Sequence, residues 1–194
     1  MTPPPRIATI ILAAGASTRF GAPKQLFLID GITLLRRTID TVLHSETNSV
    51  HVVFGFESER MKLETTTLPV NIVVNPNWQN GMSTSLRAGL QSLDSTTDGA
   101  IIALCDQPKL STDILNKLIS TYTLTRTPIV TCTYAGTVGV PTLYDRCLFP
   151  ELVSLEGDRG AKGIIERYSA TRVEINFPGG EIDLDTVADQ KHVS

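Results

Sequence analysis

Seven consecutive residues near the start of the chain, Ile7 to Ala13 (IATIILA), carry no charge and no turn former, so a strand built from them offers no wet face. A half-exposed antiparallel strand alternates polar and apolar positions; an unbroken apolar run suits a parallel strand covered by helices on both sides. Similar runs return at Ser49 to Phe54 (SVHVVF), Val70 to Val74 (VNIVV), Gly99 to Leu104 (GAIIAL) and Pro128 to Tyr134 (PIVTCTY). Helical patterns lie between them. Thr33 to Ser45 puts Leu35, Ile39, Val42 and Leu43 on one face, and Ser111 to Tyr122 opens on a capping serine and spaces Ile114, Leu115, Leu118, Ile119 and Tyr122 along another. Strand alternating with helix predicts an α/β fold with a mostly parallel central sheet between two helical layers, binding its ligands at the carboxyl ends of the strands.

At 194 residues the expectation is a single domain, residues 1–194, with a proline-rich flexible lead over 1–5. Hydrophobic residues make up 41% and charged residues 19%, both signs scattered, which reads as globular. No run is long enough to span a bilayer, so no membrane partner is expected. A formal charge of −3 argues against a broad surface for nucleic acid and leaves room for a local anion site. The three cysteines, Cys105, Cys132 and Cys147, are odd in number and far apart, which fits a reducing, cytoplasmic setting better than a disulfide framework. His44, His51 and His192 have no zinc-type spacing. Arg6 and the run behind it have the outline of a signal peptide, but the run is short, the basic lead is one residue, and the pattern continues past the apparent cleavage site.

The loop after the first run, in ILAAGASTRFGAPKQL (Ile11 to Leu26), decides the chemistry. A dinucleotide fingerprint needs G-x-G-x-x-G, and after Gly15 the next glycine is Gly21. A P-loop needs four residues between its glycines followed by Lys-Ser or Lys-Thr; here there are five, followed by APKQ. What remains is a run of small residues, Ala13 to Ser17, whose backbone N–H groups can approach a ligand closely, joined by Arg19 and Lys24. Fixed amide dipoles and two cations suit a polyphosphate. For an arbitrary loop the plainer reading is a strand-to-helix turn with two solvated cations.

The order of residues here resembles a known signature. LAAGASTRFGAPKQL (Leu12 to Leu26) is similar to the L-A-A-G-x-S-x-R-x-G-x-x-K loop of the molybdenum-cofactor nucleotidyltransferases, with the closest likeness to the CTP:molybdopterin cytidylyltransferases that serve molybdenum hydroxylases. NPNWQNGMSTSLRAGL (75–90), CDQPKL (105–110), GVPTLY (139–144), GDRGAKGII (157–165) and IDLDT (182–186) follow in the family's order, so the resemblance covers nearly the whole chain. It implies a Rossmann-like nucleotidyltransferase fold and a triphosphate held by Leu12, Ala13, Ala14, Gly15, Ser17, Arg19 and Lys24, with Gly81 and Ser85 near the base. Guanylyl-transferring members open L-A-G-G; Ala14 in this L-A-A-G tilts the base choice to cytosine.

Asp106, just past an apolar run, should sit at the carboxyl end of a central strand, a position suited to Mg²⁺, which prefers one or two carboxylates with phosphate oxygens and water. The resemblance implies that the late acidic motif completes that site. Asp183 and Asp185 alternate along an extended segment, so one of them faces the metal; Asp185 is preferred, although it can also cap a following helix. The acceptor is assigned to Gly139 and Pro141, with Val140 where the family often has histidine, and to Arg159, Gly160 and Lys162 at the turn into a helix. Cys105 stands where glycine is common. Ser83 or Thr84 is a candidate helix cap, Arg87 reads as a solvated helix charge, and a lone tryptophan such as Trp78 is more often core than pocket floor.

The implied reaction is transfer of CMP from CTP to the phosphate of a pterin acceptor, with Arg19, Lys24 and Asp106 as the catalytic set and Mg²⁺ as cofactor. A phosphate nucleophile is already ionised at neutral pH, so alignment and charge neutralisation suffice and no side-chain base is needed. A recipient molybdenum hydroxylase apoenzyme or its chaperone is the implied protein partner. The same loop logic also serves a sugar- or polyol-phosphate nucleotidyltransferase, or a non-catalytic accessory protein that binds nucleotide or cofactor.

Overall fold

A computed structural model describes residues 3–18, 20–158 and 160–184. In chain order its elements are β1 (Ile7–Ala13), β2 (Leu28–Ile29), β3 (Ile32–Thr33), α1 (Leu34–Leu43), β4 (Ser49–Phe54), α2 (Ser58–Leu63), β5 (Asn71–Val74), α3 (Met82–Gln91), β6 (Gly99–Leu104), α4 (Thr112–Thr125), β7 (Ile129–Tyr134), β8 (Thr137–Asp145), α5 (Phe149–Val153), α6 (Lys162–Arg167) and β9 (Val173–Asn176). The main sheet runs β5-β4-β1-β6-β8-β7-β9; β2 and β3 form a separate small hairpin. β5, β4, β1 and β6 are mutually parallel, β8 is antiparallel to both of its neighbours, and β7 pairs in parallel with β9.

Every residue of β1 is buried, as an apolar run between two parallel partners requires. Its side chains divide by the two-residue strand period. Ile7, Ile11 and Ala13 join a core with α1, α2 and α4, while Ile10 and Leu12 join a second core with α3, α5 and α6. The result is the expected three-layer α/β sandwich. Burying each such isoleucine or leucine contributes about 1.5–3 kcal/mol. Local signals bound the helices: Ser111 Oγ accepts from Ile114 N–H at the start of α4, as expected, Thr33 Oγ1 accepts from Arg36 N–H at the start of α1, and α4 runs past Tyr122 to stop where Arg126 turns left-handed at φ 53°.

Three expectations change. β8 and β9 were not anticipated as strands, and GVPTLY belongs to β8. Neither Ser83 nor Thr84 caps α3; Gly81 holds the N-cap position, and Thr84 Oγ1 bonds back to the carbonyls of Asn77 and Gly81. Arg87 is not a solvated charge. Its guanidinium donates to the carbonyls of Val153 and Leu155 at 2.9 and 3.0 Å, closing the C-terminal end of α5 and locking α3 to it.

Candidate active site

The carboxyl ends of β5, β4, β1 and β6 lie along one edge of the sheet, and the loops leaving them enclose a cleft of about 550 Å³, within the range of small-ligand sites. After β1 the chain crosses to β4 on one side; after β6 it goes to α4 and β7 on the other. The point between β1 and β6 is therefore a topological switch, where open α/β sheets leave a crevice for ligand. Lys24 and Asp106 meet there: Lys24 Nζ lies 2.6 Å from Asp106 Oδ2, across 82 residues of sequence, with each side chain 17% exposed.

Around this pair the cleft is lined by Leu12, Ala13, Ala14, Gly15, Ser17, Gly81 and Ser85. These are all of the expected nucleotide residues other than Lys24, which also lines it, and Arg19, which lies outside the described residues. The loop owes its shape to a residue that the sequence reading passed over. Gln25 is buried and its amide donates to the carbonyls of Ala13 and Gly15 at 3.1 and 2.8 Å, while Phe56 N–H donates to the carbonyl of Ala14 at 3.0 Å. In a trans peptide the N–H points opposite to the C=O. Each of the N–H groups of Ala14, Gly15 and Ala16 therefore points away from the donor that holds the preceding carbonyl, and all three residues line the cleft. A Cβ placed on Gly15 would meet nothing within 4 Å, so its bareness serves open space and not protein packing. A polar Lys-Gln pair behind a turn gives little hint of this role; only the buried fate of Gln25 reveals it.

Two glycines bring in the far wall. A Cβ on Gly55 would sit 2.5 Å from Trp78 Cβ and 2.8 Å from the Ala14 carbonyl, so Gly55 lets the indole and the loop close on one another. Trp78 lines the cleft, with its ring edge-on to Phe56, and belongs to the pocket instead of the core. Gly81, at φ 102°, packs its backbone against Gly157, whose carbonyl accepts from Ser83 N–H at 3.2 Å. This contact carries Asp158 to the rim. Beneath it, buried Asn75 donates to Ser85 Oγ at 3.0 Å, which leaves the Ser85 hydroxyl proton for another acceptor.

Asp106 has the character of a cation ligand. Its Oδ1 is buried and has no hydrogen-bond partner among the described residues, an arrangement costly for a carboxylate unless a cation or a donor is to fill it. Leu184 N–H donates to the Asp106 carbonyl at 3.1 Å, so the late acidic motif does return to this strand end and brings Asp183 with it. Ile182 to Leu184 form no strand; Asp185 lies outside the described residues. Burial, and then the charge of Asp183, push the Tyr134 phenol up to about 12, and Asp106 adds to the effect. Cys105, beside the metal-type carboxylate, is buried; burial first and the Asp106 charge second push its thiol up to about 12, so it stays protonated and is no nucleophile at neutral pH.

The expected acceptor residues are placed differently. Pro141 is buried and Gly139 packs against Tyr134, where a Cβ would come 2.3 Å from the hydroxyl; neither lines the cleft. Lys162 begins α6 and its Nζ donates to Thr137 Oγ1 at 2.9 Å, with Gly160 near Met82. Arg159 lies outside the described residues.

The comparisons agree with this geometry. Residues 9–173 match the MobA-like NTP transferase domain. The chain is 31% identical to nicotine blue oxidoreductase of Paenarthrobacter nicotinovorans over 94% of each protein, and 28% identical to purine catabolism protein PucB of Bacillus subtilis over 94% of this chain and 93% of that one. The crystal structure of Rv0371c from Mycobacterium tuberculosis superposes with a TM-score of 0.88 at 27% identity, covering 99% of this chain and 98% of that one. The same protein in complex with manganese gives a TM-score of 0.83, also at 27% identity, over 97% of each chain. The chain belongs to the MobA-like NTP transferase family.

Proposed function

We propose that the protein moves CMP from CTP to the phosphate of molybdopterin or molybdenum cofactor, with Mg²⁺ as the working metal. A phosphate oxygen of the acceptor attacks the α-phosphorus, the bond from that phosphorus to the bridging oxygen breaks, and pyrophosphate leaves with the electron pair. The observation that carries this reading is the Lys24–Asp106 contact at the switch point, in the same cleft as a small-residue loop whose carbonyls are already engaged by Gln25 and Phe56.

In this reading the amides of Ala14, Gly15 and Ala16 hold the triphosphate, and Lys24, with Arg19, neutralises its charge. Lys24 exchanges Asp106 for phosphate oxygens as the nucleotide enters. Asp106, whose Oδ1 awaits a partner, and Asp183 or Asp185 hold the divalent ion, which when bound offsets phosphate charge and fixes its oxygens. The manganese complex of Rv0371c supports a divalent metal in a relative of this fold. Ser85 and Gly81 read the base edge, with Ala14 setting the choice of cytosine. Gly139, Pro141, Arg159, Gly160 and Lys162 serve the acceptor, with Gly139 and Pro141 outside the lining of the nucleotide cleft, and transfer takes place in the cytoplasm before delivery to a molybdenum hydroxylase or its chaperone.

The test is pyrophosphate release from CTP, Mg²⁺ and a pterin phosphate, with sugar and polyol phosphates as competing acceptors. Release only with a sugar or polyol phosphate would replace the acceptor; no release with any of them, alongside tight CTP binding, would favour the non-catalytic accessory role. A thermal-shift panel of CTP, GTP, ATP and UTP, with and without Mg²⁺, reads base choice and metal dependence together, because a ligand stabilises according to its affinity. Because the Paenarthrobacter relative is named for a redox activity, NADH and NADPH belong in the panel. The missing G-x-G-x-x-G spacing after β1 predicts that they shift the transition less than CTP.

A further inference from the structure

We propose that Gln107 is a positioning residue that couples the metal-side carboxylates to the acceptor wall; this rests on the metal-dependent transfer reading above. Gln107 follows Asp106 directly, yet its side chain is buried, only 2% exposed, and aimed away from the solvent that a polar turn residue would ordinarily seek. Both hydrogens of its amide are engaged. Nε2 donates to the Gly180 carbonyl at 2.8 Å and to the Val140 carbonyl at 3.2 Å, 73 and 33 residues away.

The two targets lie in segments that the proposed function assigns to the acceptor and to the metal. Val140 lies in the Gly139–Pro141 motif of β8, and Gly180 lies in the turn that precedes Asp183. The amide is planar, with its two N–H bonds held about 120° apart, so the two carbonyls cannot shift independently while both bonds persist. A second bond doubles the link to the acidic segment, from Leu184 N–H to the Asp106 carbonyl at 3.1 Å. The dipeptide Asp106–Gln107 therefore grips residues 180–184 at two points, one on each side of Asp183.

Packing makes the grip stiff. A Cβ on Gly180 would come 2.5 Å from the Tyr134 ring and 2.6 Å from the Phe177 ring, and those rings stack edge to face with centroids 6.0 Å apart. The turn is thus seated against an aromatic wall that leaves no room for it to slide. Meanwhile Gln107 Oε1 is buried with no hydrogen-bond partner among the described residues.

The experiment compares wild-type protein with Gln107→Met, which keeps length and volume but removes both donors. Mn²⁺ affinity is read by electron paramagnetic resonance in the presence of α,β-methylene CTP, nucleotide affinity is read separately without metal, and exchange of the Leu184 amide is followed by mass spectrometry. Outer partners of metal ligands typically govern affinity by 10–100-fold, so Mn²⁺ binding should weaken by about 10-fold or more, metal-free nucleotide binding should stay within about 2-fold, and Leu184 should exchange faster. Equal Mn²⁺ affinity in a folded Gln107→Met protein overturns the proposal. A wild-type protein that binds the nucleotide but no Mn²⁺ instead sinks the metal reading beneath it. Should Gln107→Met fail to fold, wild-type exchange decides: Mn²⁺ with nucleotide should slow exchange across residues 180–184 beyond the effect of nucleotide alone, and identical exchange with and without Mn²⁺ overturns the assignment.

Discussion

The two sides of the proposed site are built by different means. The wall assigned to the nucleotide is made from the ends of four adjacent parallel strands, β5, β4, β1 and β6, so each loop is held at its root by a ladder of backbone bonds. The wall assigned to the acceptor draws on the antiparallel β8 and on the chain from Gly157 into α6, and the β7–β8 ladder is itself interrupted by a register shift between Thr131 and Cys132. A triphosphate presents the same atoms whatever its base, and a rigid frame suits it. Acceptors differ, and segments outside the parallel ladder can change without disturbing the frame. This contrast predicts that changes to the first wall damage the reaction itself, whereas changes to the second retune its substrate.

The largest effect belongs at the switch point. Lys24→Ala should lower turnover by about 10²-fold or more, on the scale of single preorganised donors, and Asp106→Asn should do comparable damage and also flatten the response to Mg²⁺. Steady-state pyrophosphate release measures both. Near-normal turnover in either variant would break the contrast at its centre. Next comes Gln25→Ala, which leaves the loop carbonyls of buried Ala13 and of Gly15 without that donor; about 1.4 kcal/mol lost from the loop's bound form would raise the KM for CTP about 10-fold while the acceptor KM stays put. Smaller again, Lys162→Ala removes an exposed charge from the second wall and should raise only the acceptor KM, by about 2- to 5-fold. If Lys162→Ala weakened CTP instead, the division into two walls would fail.

Legibility in the sequence follows the same division. The strands of the parallel half announce themselves as unbroken apolar runs: Ile7–Ala13, Ser49–Phe54 and Gly99–Leu104 have the bounds expected from pattern alone. So does the site they carry, because a strand end followed by a small-residue loop, or by an aspartate, has few other meanings in an α/β sandwich. β8 escaped because Gly139 and Pro141 interrupt it, and proline in a strand normally argues against one. β9 escaped because four residues alternating between half-buried and exposed make a weak signal. Gln25, Gln107 and Arg87 could not be found from composition or period. Each is a polar residue whose work is to satisfy carbonyls remote in sequence, and such partners exist only once the chain has folded.

The smallest expected effect lies at the other end of the parallel half and tests whether the nucleotide frame is stabilised separately from its chemistry. His51, near the start of β4, is buried; its ring contacts Ser92 Oγ at 2.8 Å through Nδ1 and Ser49 Oγ at 3.2 Å through Nε2. Ser92 Oγ already donates to the Gly89 carbonyl at 2.7 Å, so it accepts from Nδ1–H and Nε2 acts as an acceptor, the pattern of a neutral imidazole. Burial lowers the pKa from 6.5. The unfolded chain then takes up a proton before the folded one does, so the stability contributed by His51 is complete above pH 6.5 and is lost progressively as pH falls from there towards the depressed folded value. Urea melts between pH 5 and 8 should show a modest decline in midpoint on the acid side of pH 6.5 that His51→Gln reduces. CTP affinity in the folded protein should not follow that decline, because the cleft lies at the opposite ends of the same strands. A CTP affinity that fell in parallel with the His51 titration would mean that the frame and the site are one cooperative unit, and the rigid wall would have to be redrawn as a responsive one.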